Sequence, residues 1–262
     1  MEPFHVTHWG SSGSKVIFVH GSAQGSATGG DQHFRAQQRL AERGWQVLVP
    51  DRPGHGLSAD PGRPDDPELD GALIADLIGD GAHLVGHSFG GCVALAAATR
   101  KPNAVKSLTL IEPAMPLLAM NKPVVLRFGL RIAFASVFPM PDITRIKRFM
   151  NVVNIPPELR GIEGTSDEVL ARMGRAIKRL RIPDKATLVR QLGVIREAKI
   201  PLLAVAGSWS PAFRAITDSV AEETNGQTLV IDSPHHFPHL VSDEFNQRLA
   251  RFMAEHDAPP KL

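Results

Sequence analysis

Gly86-His87-Ser88-Phe89-Gly90 lies between two apolar runs, His83-Leu84-Val85 before it and Cys92-Val93-Ala94-Leu95-Ala96-Ala97-Ala98 after it. The first reads as a buried strand and the second as an Ala-rich helix. A Ser in so sharp a strand-to-helix turn is held in a strained backbone with its hydroxyl pushed out. A Cβ at either flanking Gly would clash in that bend. The helix behind the Ser offers free N–H groups and a positive dipole end to an anion. Ser88 is therefore read as a nucleophile, the alternative being a structural turn.

The same alternation of short apolar strands and helices extends along the chain. Strands are expected at 15–20, 45–50, 106–111, 201–206 and 227–231, and helices at 31–43, 68–78 and 243–254. Continuous apolar strands separated by helices indicate an α/β fold, with a mostly parallel central sheet covered by helices on both faces. From Ala114 to Lys199 the strand pattern stops, and four helices are expected at 124–138, 143–153, 167–181 and 185–198. This segment holds 16 Lys and Arg against 7 Asp and Glu, a net +9 in a chain whose total is only +2. The expected organisation is a core of 1–113 and 200–262 with a helical lid, 114–199, inserted between two core strands.

The single Cys, Cys92, rules out an internal disulfide and fits a reducing compartment. It reads as a small buried apolar residue rather than a reactive thiol. Met1 to Val6 has neither a basic region nor an apolar core, so a signal peptide is not expected, nor is a membrane span. A cytoplasmic protein is the expectation. The glycines of 21–30 lack the spacing of a dinucleotide or phosphate loop. The basic segment lacks the aromatic interleaving of a nucleic-acid surface. No cofactor, metal or nucleic acid is expected. A metal cluster of His235, His236 and His239 is conceivable, but no Cys ligand, His-Glu-x-x-His or paired carboxylate supports it.

A Ser hydroxyl needs a base, a group that orients the base, and donors for the oxyanion. Ser233-Pro234-His235-His236-Phe237-Pro238-His239 follows the last strand and supplies histidines where a base would sit. Together with His20-Gly21-Ser22, Asp51-Arg52-Pro53-Gly54-His55-Gly56 and Gly86-His87-Ser88-Phe89-Gly90-Gly91, it makes the chain resemble the α/β-hydrolase fold family over nearly its whole length. The resemblance implies that His236 is the base, although the family's Gly before it is His235 here. It also implies an oxyanion hole made by the backbone N–H groups of Ser22 and Phe89.

The acid departs from the family pattern. Relatives carry Asp in a Gly-x-x-Asp after the penultimate strand, but here Gly207-Ser208-Trp209-Ser210 puts Ser210 there, and Gly207 to Thr217 offers no carboxylate. Some members place the acid one strand earlier, where Leu110-Ile111-Glu112-Pro113 ends in Glu112. The triad is read as Ser88, His236 and Glu112, against a dyad without an acid. His20 and His87 read as packing residues, and 51–58 as a structural turn.

These features imply a serine hydrolase of a carboxylic ester or related acyl bond, with a small apolar or amphipathic acyl substrate. Leu117, Leu118, Met120, Val125, Leu126, Phe128, Phe134, Phe138, Phe149 and Met150 are either lid core or pocket wall. The basic excess is a solvated face, or else suits an anionic substrate or an anionic membrane surface. A carbon–carbon bond hydrolase, a cofactor-free oxygenase or lyase, and a slow or silent ligand receptor are the other readings of the same residues.

Overall fold

The computed structural model describes residues 4–21, 23–161 and 163–257. Seven strands form one sheet: β1 (Val6–Trp9), β2 (Lys15–Val19), β3 (Gln46–Pro50), β4 (Ala82–His87), β5 (Val105–Ile111), β6 (Leu202–Gly207) and β7 (Gln227–Ile231). Their order across the sheet is β1-β3-β2-β4-β5-β6-β7. All neighbours are parallel except β1, which runs antiparallel to β3 at the edge. β4 and β5 therefore lie side by side near the middle, with their C-terminal ends at one edge of the sheet. In an open α/β sheet that edge is where ligands are bound.

The helices are α1 (Gly30–His33), α2 (Arg39–Glu42), α3 (Pro67–Ile78), α4 (Phe89–Arg100), α5 (Pro123–Val137), α6 (Asp142–Val152), α7 (Asp167–Arg179), α8 (Lys185–Glu197), α9 (Pro211–Thr224), α10 (Pro238–Val241) and α11 (Glu244–Glu255). One apolar layer packs α3, α4, α8 and α9 on the sheet through residues such as Ile74, Leu95, Leu192 and Ile216. The opposite layer packs α11 and the α1–α2 segment through Phe34, Leu40, Phe245 and Leu249. Four helices, α5 to α8, separate β5 from β6 in the chain, and Ile146, Met150, Leu170, Met173 and Ile177 form a small second core there with Ala23 of the loop after β2.

Two differences from the sequence reading have local causes. The single helix expected over 31–43 is broken into α1, a 3₁₀ turn at Arg35–Gln38 and α2. Phe34 and Leu40 are nevertheless both fully buried, so core packing dictates the path of the segment more than helical periodicity does. β1 was not expected, because a four-residue edge strand, Val-Thr-His-Trp, carries too short a pattern to stand out. Cys92 is buried, and burial pushes its thiol up to about 12, so it stays protonated and inert at neutral pH.

Candidate active site

The end of β4 delivers Ser88 in a backbone that ordinary residues avoid, with φ 56° and ψ −123°. Neighbouring backbone secures the turn: Ser88 N donates to Ile111 O at 2.9 Å, and Ser88 O accepts from Ala114 N at 3.0 Å. The two flanking glycines are required by contact. A Cβ at Gly86 would stand 2.4 Å from Gly90 O, and one at Gly90 would stand 2.1 Å from Val19 O. Phe89 opens α4, so its N–H is one of the helix's free donors beside Ser88. Ser88 itself is half-exposed.

Glu112 follows β5 directly and also has a positive φ, 40°. Its N–H donates to Val205 O at 2.8 Å, which ties this bend to β6. The carboxylate is fully buried, so it does not occupy a solvated junction. Oε1 accepts from Gly207 N at 2.7 Å and from Trp209 Nε1 at 2.9 Å. Oε2 lies 2.5 Å from His236 Nδ1. The buried carboxylate thus has three N–H partners. Ser210, at the position where an Asp was sought, instead caps α9 by accepting from Phe213 N at 3.3 Å.

His236 is buried, stacked on Phe213 with ring centroids 4.7 Å apart. Its carbonyl accepts from His87 Nε2 at 2.7 Å, and its N–H donates to Asn154 O at 3.3 Å. Asn154 Nδ2 also donates to Pro234 O at 2.8 Å, so the segment after α6 grips the histidine loop at two points. His87 Nε2 must donate to a carbonyl, so its Nδ1 is the acceptor in the 2.8 Å contact with His33 Nε2. Burial and the neighbouring His236 hold His87 well below the ordinary histidine range, which keeps it neutral. His235 points elsewhere: its Nδ1 accepts from Phe237 N at 3.2 Å.

Sequence reasoning missed Trp209, His33 and Asn154 as partners of this site. The Trp stood next to the position where the acid was sought, and that was its only signal. Nothing in sequence distinguishes Asn154, whose φ of 54° and two contacts arise from folding. Ser22 lies outside the described residues. His20 serves the scaffold: Nδ1 donates to Gly21 O at 2.8 Å and Nε2 accepts from Arg52 N at 2.9 Å. The turn at 51–58 carries a fully buried ion cluster, with Arg52 at 2.8 Å from Asp65 and 2.9 Å from Asp70. The Arg52 guanidinium also lies 5.0 Å from the centre of the Phe89 ring, backing the residue after Ser88.

Ser88, Phe89 and His236 share the wall of a cavity of about 380 Å³. The rest of its lining is mainly apolar and includes Leu117, Met120, Phe128, Ile132, Phe149 and Ile177 from the 114–199 segment. Among the described residues, Lys178 is the one Lys or Arg in that lining. Of the other apolar residues singled out in this segment, Leu118, Val125 and Met150 are buried, while Leu126, Phe134 and Phe138 are exposed. Among the described residues, His33, His87 and His239 bring ring nitrogens within 4.8 Å of one another. His87 and His239 each already direct one nitrogen to a backbone carbonyl, and the cluster differs from the 235/236/239 grouping considered from sequence. No helix among the described residues is long and apolar enough to cross a membrane.

The sequence profile of the alpha/beta hydrolase family matches residues 16–250. The lipase LipV of Mycobacterium tuberculosis is 37% identical over 119 residues, which is 43% of this chain and 42% of that protein. A 2-hydroxy-6-oxononadienedioate/2-hydroxy-6-oxononatrienedioate hydrolase of Cupriavidus pinatubonensis is 30% identical over 154 residues, 56% of this chain and 52% of that protein. The chain thus matches about half or less of the length of these curated relatives. Among solved structures, the hydrolase olei00960 from Oleispira antarctica superposes with a TM-score of 0.72 at 19% identity, covering 97% of this chain and 95% of that one.

Proposed function

The chain belongs to the alpha/beta hydrolase family, and on that premise we propose that it is a serine hydrolase of neutral carboxylic esters, acting through Ser88, His236 and Glu112. The observation that carries this reading is the 2.5 Å contact between His236 Nδ1 and the buried Glu112 carboxylate, at the wall of the cavity that also exposes Ser88. With Nδ1–H held by Glu112, the proton-free Nε2 of His236 is the base. It takes the Ser88 proton as Oγ bonds to the ester carbonyl carbon. The carbonyl oxygen becomes an oxyanion, held by the N–H of Phe89 at the start of α4. Collapse expels the alcohol, which leaves with the proton from His236, and an acyl-Ser88 remains. Water, deprotonated by the same nitrogen, then releases the acid and restores Ser88.

The part of the 114–199 segment that precedes α8 acts as the cap of this site, while α8 packs in the layer on the sheet. Its apolar side chains shape a cavity within the size range of small-molecule sites. The relatives include both a lipase and a carbon–carbon bond hydrolase, whose dioate substrate, by its printed name, carries two carboxylates. With Lys178 as the one Lys or Arg among the described lining residues, a dioate's two carboxylates find little to pair with, which supports a neutral ester over a dioate. A panel of p-nitrophenyl esters of graded acyl length, run beside a 2-hydroxy-6-oxo-dienoate, tests the choice. Ester turnover with no cleavage of the dienoate is expected. Faster cleavage of the dienoate would replace the ester reading with the carbon–carbon one.

A further inference from the structure

Five large apolar side chains on or next to a single helix stand in solvent: Leu126, Leu130, Phe134 and Val137 of α5, with Phe138 at its end. The spacing of 126, 130, 134 and 137 puts four of them on one helical stripe. Leu130 is 60% exposed and Val137 is 62% exposed, yet both also line the cavity that contains Ser88. The stripe therefore runs from the outer surface into the mouth of the site. A contiguous exposed apolar face of this kind marks an interaction surface.

The surroundings of the stripe indicate what it meets. Exposed Arg127 and Arg131 flank it on α5, and exposed Arg148 flanks it on α6. The Arg148 guanidinium sits 5.0 Å from the centre of the Phe134 ring. Asp142 is the one acidic residue in these two helices, and it is already engaged by Arg145 and Arg175, each at 3.6 Å. A second copy of this chain would bring two segments of net +9 face to face, a repulsive arrangement. An apolar stripe edged with Arg matches a surface that offers acyl chains beneath anionic headgroups.

We propose that the outer face of α5, with the Arg residues beside it, docks on an anionic lipid bilayer. The apolar side chains enter the headgroup–acyl boundary while Arg127, Arg131 and Arg148 meet the headgroup charge. Docking would place the cavity mouth at the interface from which an ester could enter. The docking itself does not depend on the ester-hydrolase reading, since it requires no catalysis.

Co-sedimentation with phosphatidylglycerol/phosphatidylcholine vesicles, compared with phosphatidylcholine vesicles, tests it. The protein is expected to pellet with the anionic vesicles. Raising salt from about 0.05 M to about 0.5 M should weaken the binding severalfold. The double variant Leu126→Glu/Phe134→Glu, whose positions lie outside the cavity lining, should lose on the order of tenfold in vesicle partition. Its circular-dichroism melt should match that of the wild type, which shows that the fold is intact, and it should hydrolyse a soluble short-chain ester as the wild type does. The proposal is overturned if the wild type stays in the supernatant with both vesicles, if it binds both equally at any salt, or if the double variant pellets like the wild type. It is also overturned if sedimentation velocity shows a dimer that the double variant dissolves while no vesicle is bound. An active enzyme that ignores vesicles would sink only the docking proposal, and an inactive one that pellets would sink only the hydrolase reading.

Discussion

Replacing Glu112 by Gln removes one charge and changes almost no volume, so it isolates the role of the carboxylate. In the wild type Oε1 accepts from Gly207 N at 2.7 Å and Trp209 Nε1 at 2.9 Å, while Oε2 meets His236 Nδ1 at 2.5 Å. The amide has one oxygen for these three donors. Turned toward His236, it would set its NH₂ against two buried N–H groups, at about 1–3 kcal/mol for each donor left unpaired. Turned toward Gly207 and Trp209, it presents NH₂ to His236 Nδ1. The second orientation is favoured, and it forces His236 into the tautomer that carries its proton on Nε2. The lone pair needed to accept the Ser88 proton is then gone, and no carboxylate remains to stabilise the imidazolium. The expected loss in kcat is about 10⁴-fold, equivalent to ~5.5 kcal/mol of transition-state stabilisation. The melting temperature should move by no more than a few degrees, because the packing is unchanged. Steady-state hydrolysis of p-nitrophenyl butyrate, with circular-dichroism melts of the same preparations, measures both quantities. A folded Glu112→Gln enzyme within tenfold of wild-type kcat would refute the reasoning.

Three further expectations follow from the same geometry. His236→Ala should abolish ester turnover while His235→Ala leaves most of it; the reverse order of damage in paired assays would shift the base by one residue. Gly90→Ala drives a Cβ to 2.1 Å from Val19 O, a backbone atom, and should cost about 3 kcal/mol or more in urea unfolding; a wild-type midpoint would contradict the tight packing of the turn. His20, His55, His87 and His239 are buried and, chiefly through desolvation, held well below the ordinary histidine range, so they are neutral in the fold. The unfolded chain takes up protons first, so stability is full above about pH 6.5 and falls as pH drops, by up to ~1.4 kcal/mol per pH unit for each of these histidines. Urea midpoints that stay flat between about pH 8 and pH 5 would show that these residues charge without penalty.

The sheet was legible because its central strands are buried on both faces and read as continuous apolar runs, as in Val16 to Val19 and Leu202 to Ala206. β1 escaped because an edge strand of four residues carries a weak pattern, and the break at Arg35–Gln38 escaped because core contacts dictate it. The Ser88 turn announced itself through two glycines whose absence of side chains is a local requirement. Glu112 could be reached by position along the chain, yet its buried environment could not. The donors from Gly207 and Trp209 converge on it only once β5 and β6 lie side by side. The grip of Asn154 on the histidine loop joins residues 80 positions apart, a separation at which no local pattern could signal it. Leu126, Phe134 and Phe138 read from sequence as lid core or pocket wall, and their exposure was not legible, since periodicity gives the face of a helix but not what covers it.

Reaction with a fluorophosphonate probe, followed by peptide mapping, tests the central claim most directly. The reagent bonds to a serine hydroxyl only when a base and an oxyanion site activate it. The expected result is one covalent adduct on Ser88, formed at a saturable rate and absent in Ser88→Ala. A folded protein that stays unlabelled, or that labels on a different serine, would contradict the assignment of Ser88 as the nucleophile of a serine hydrolase.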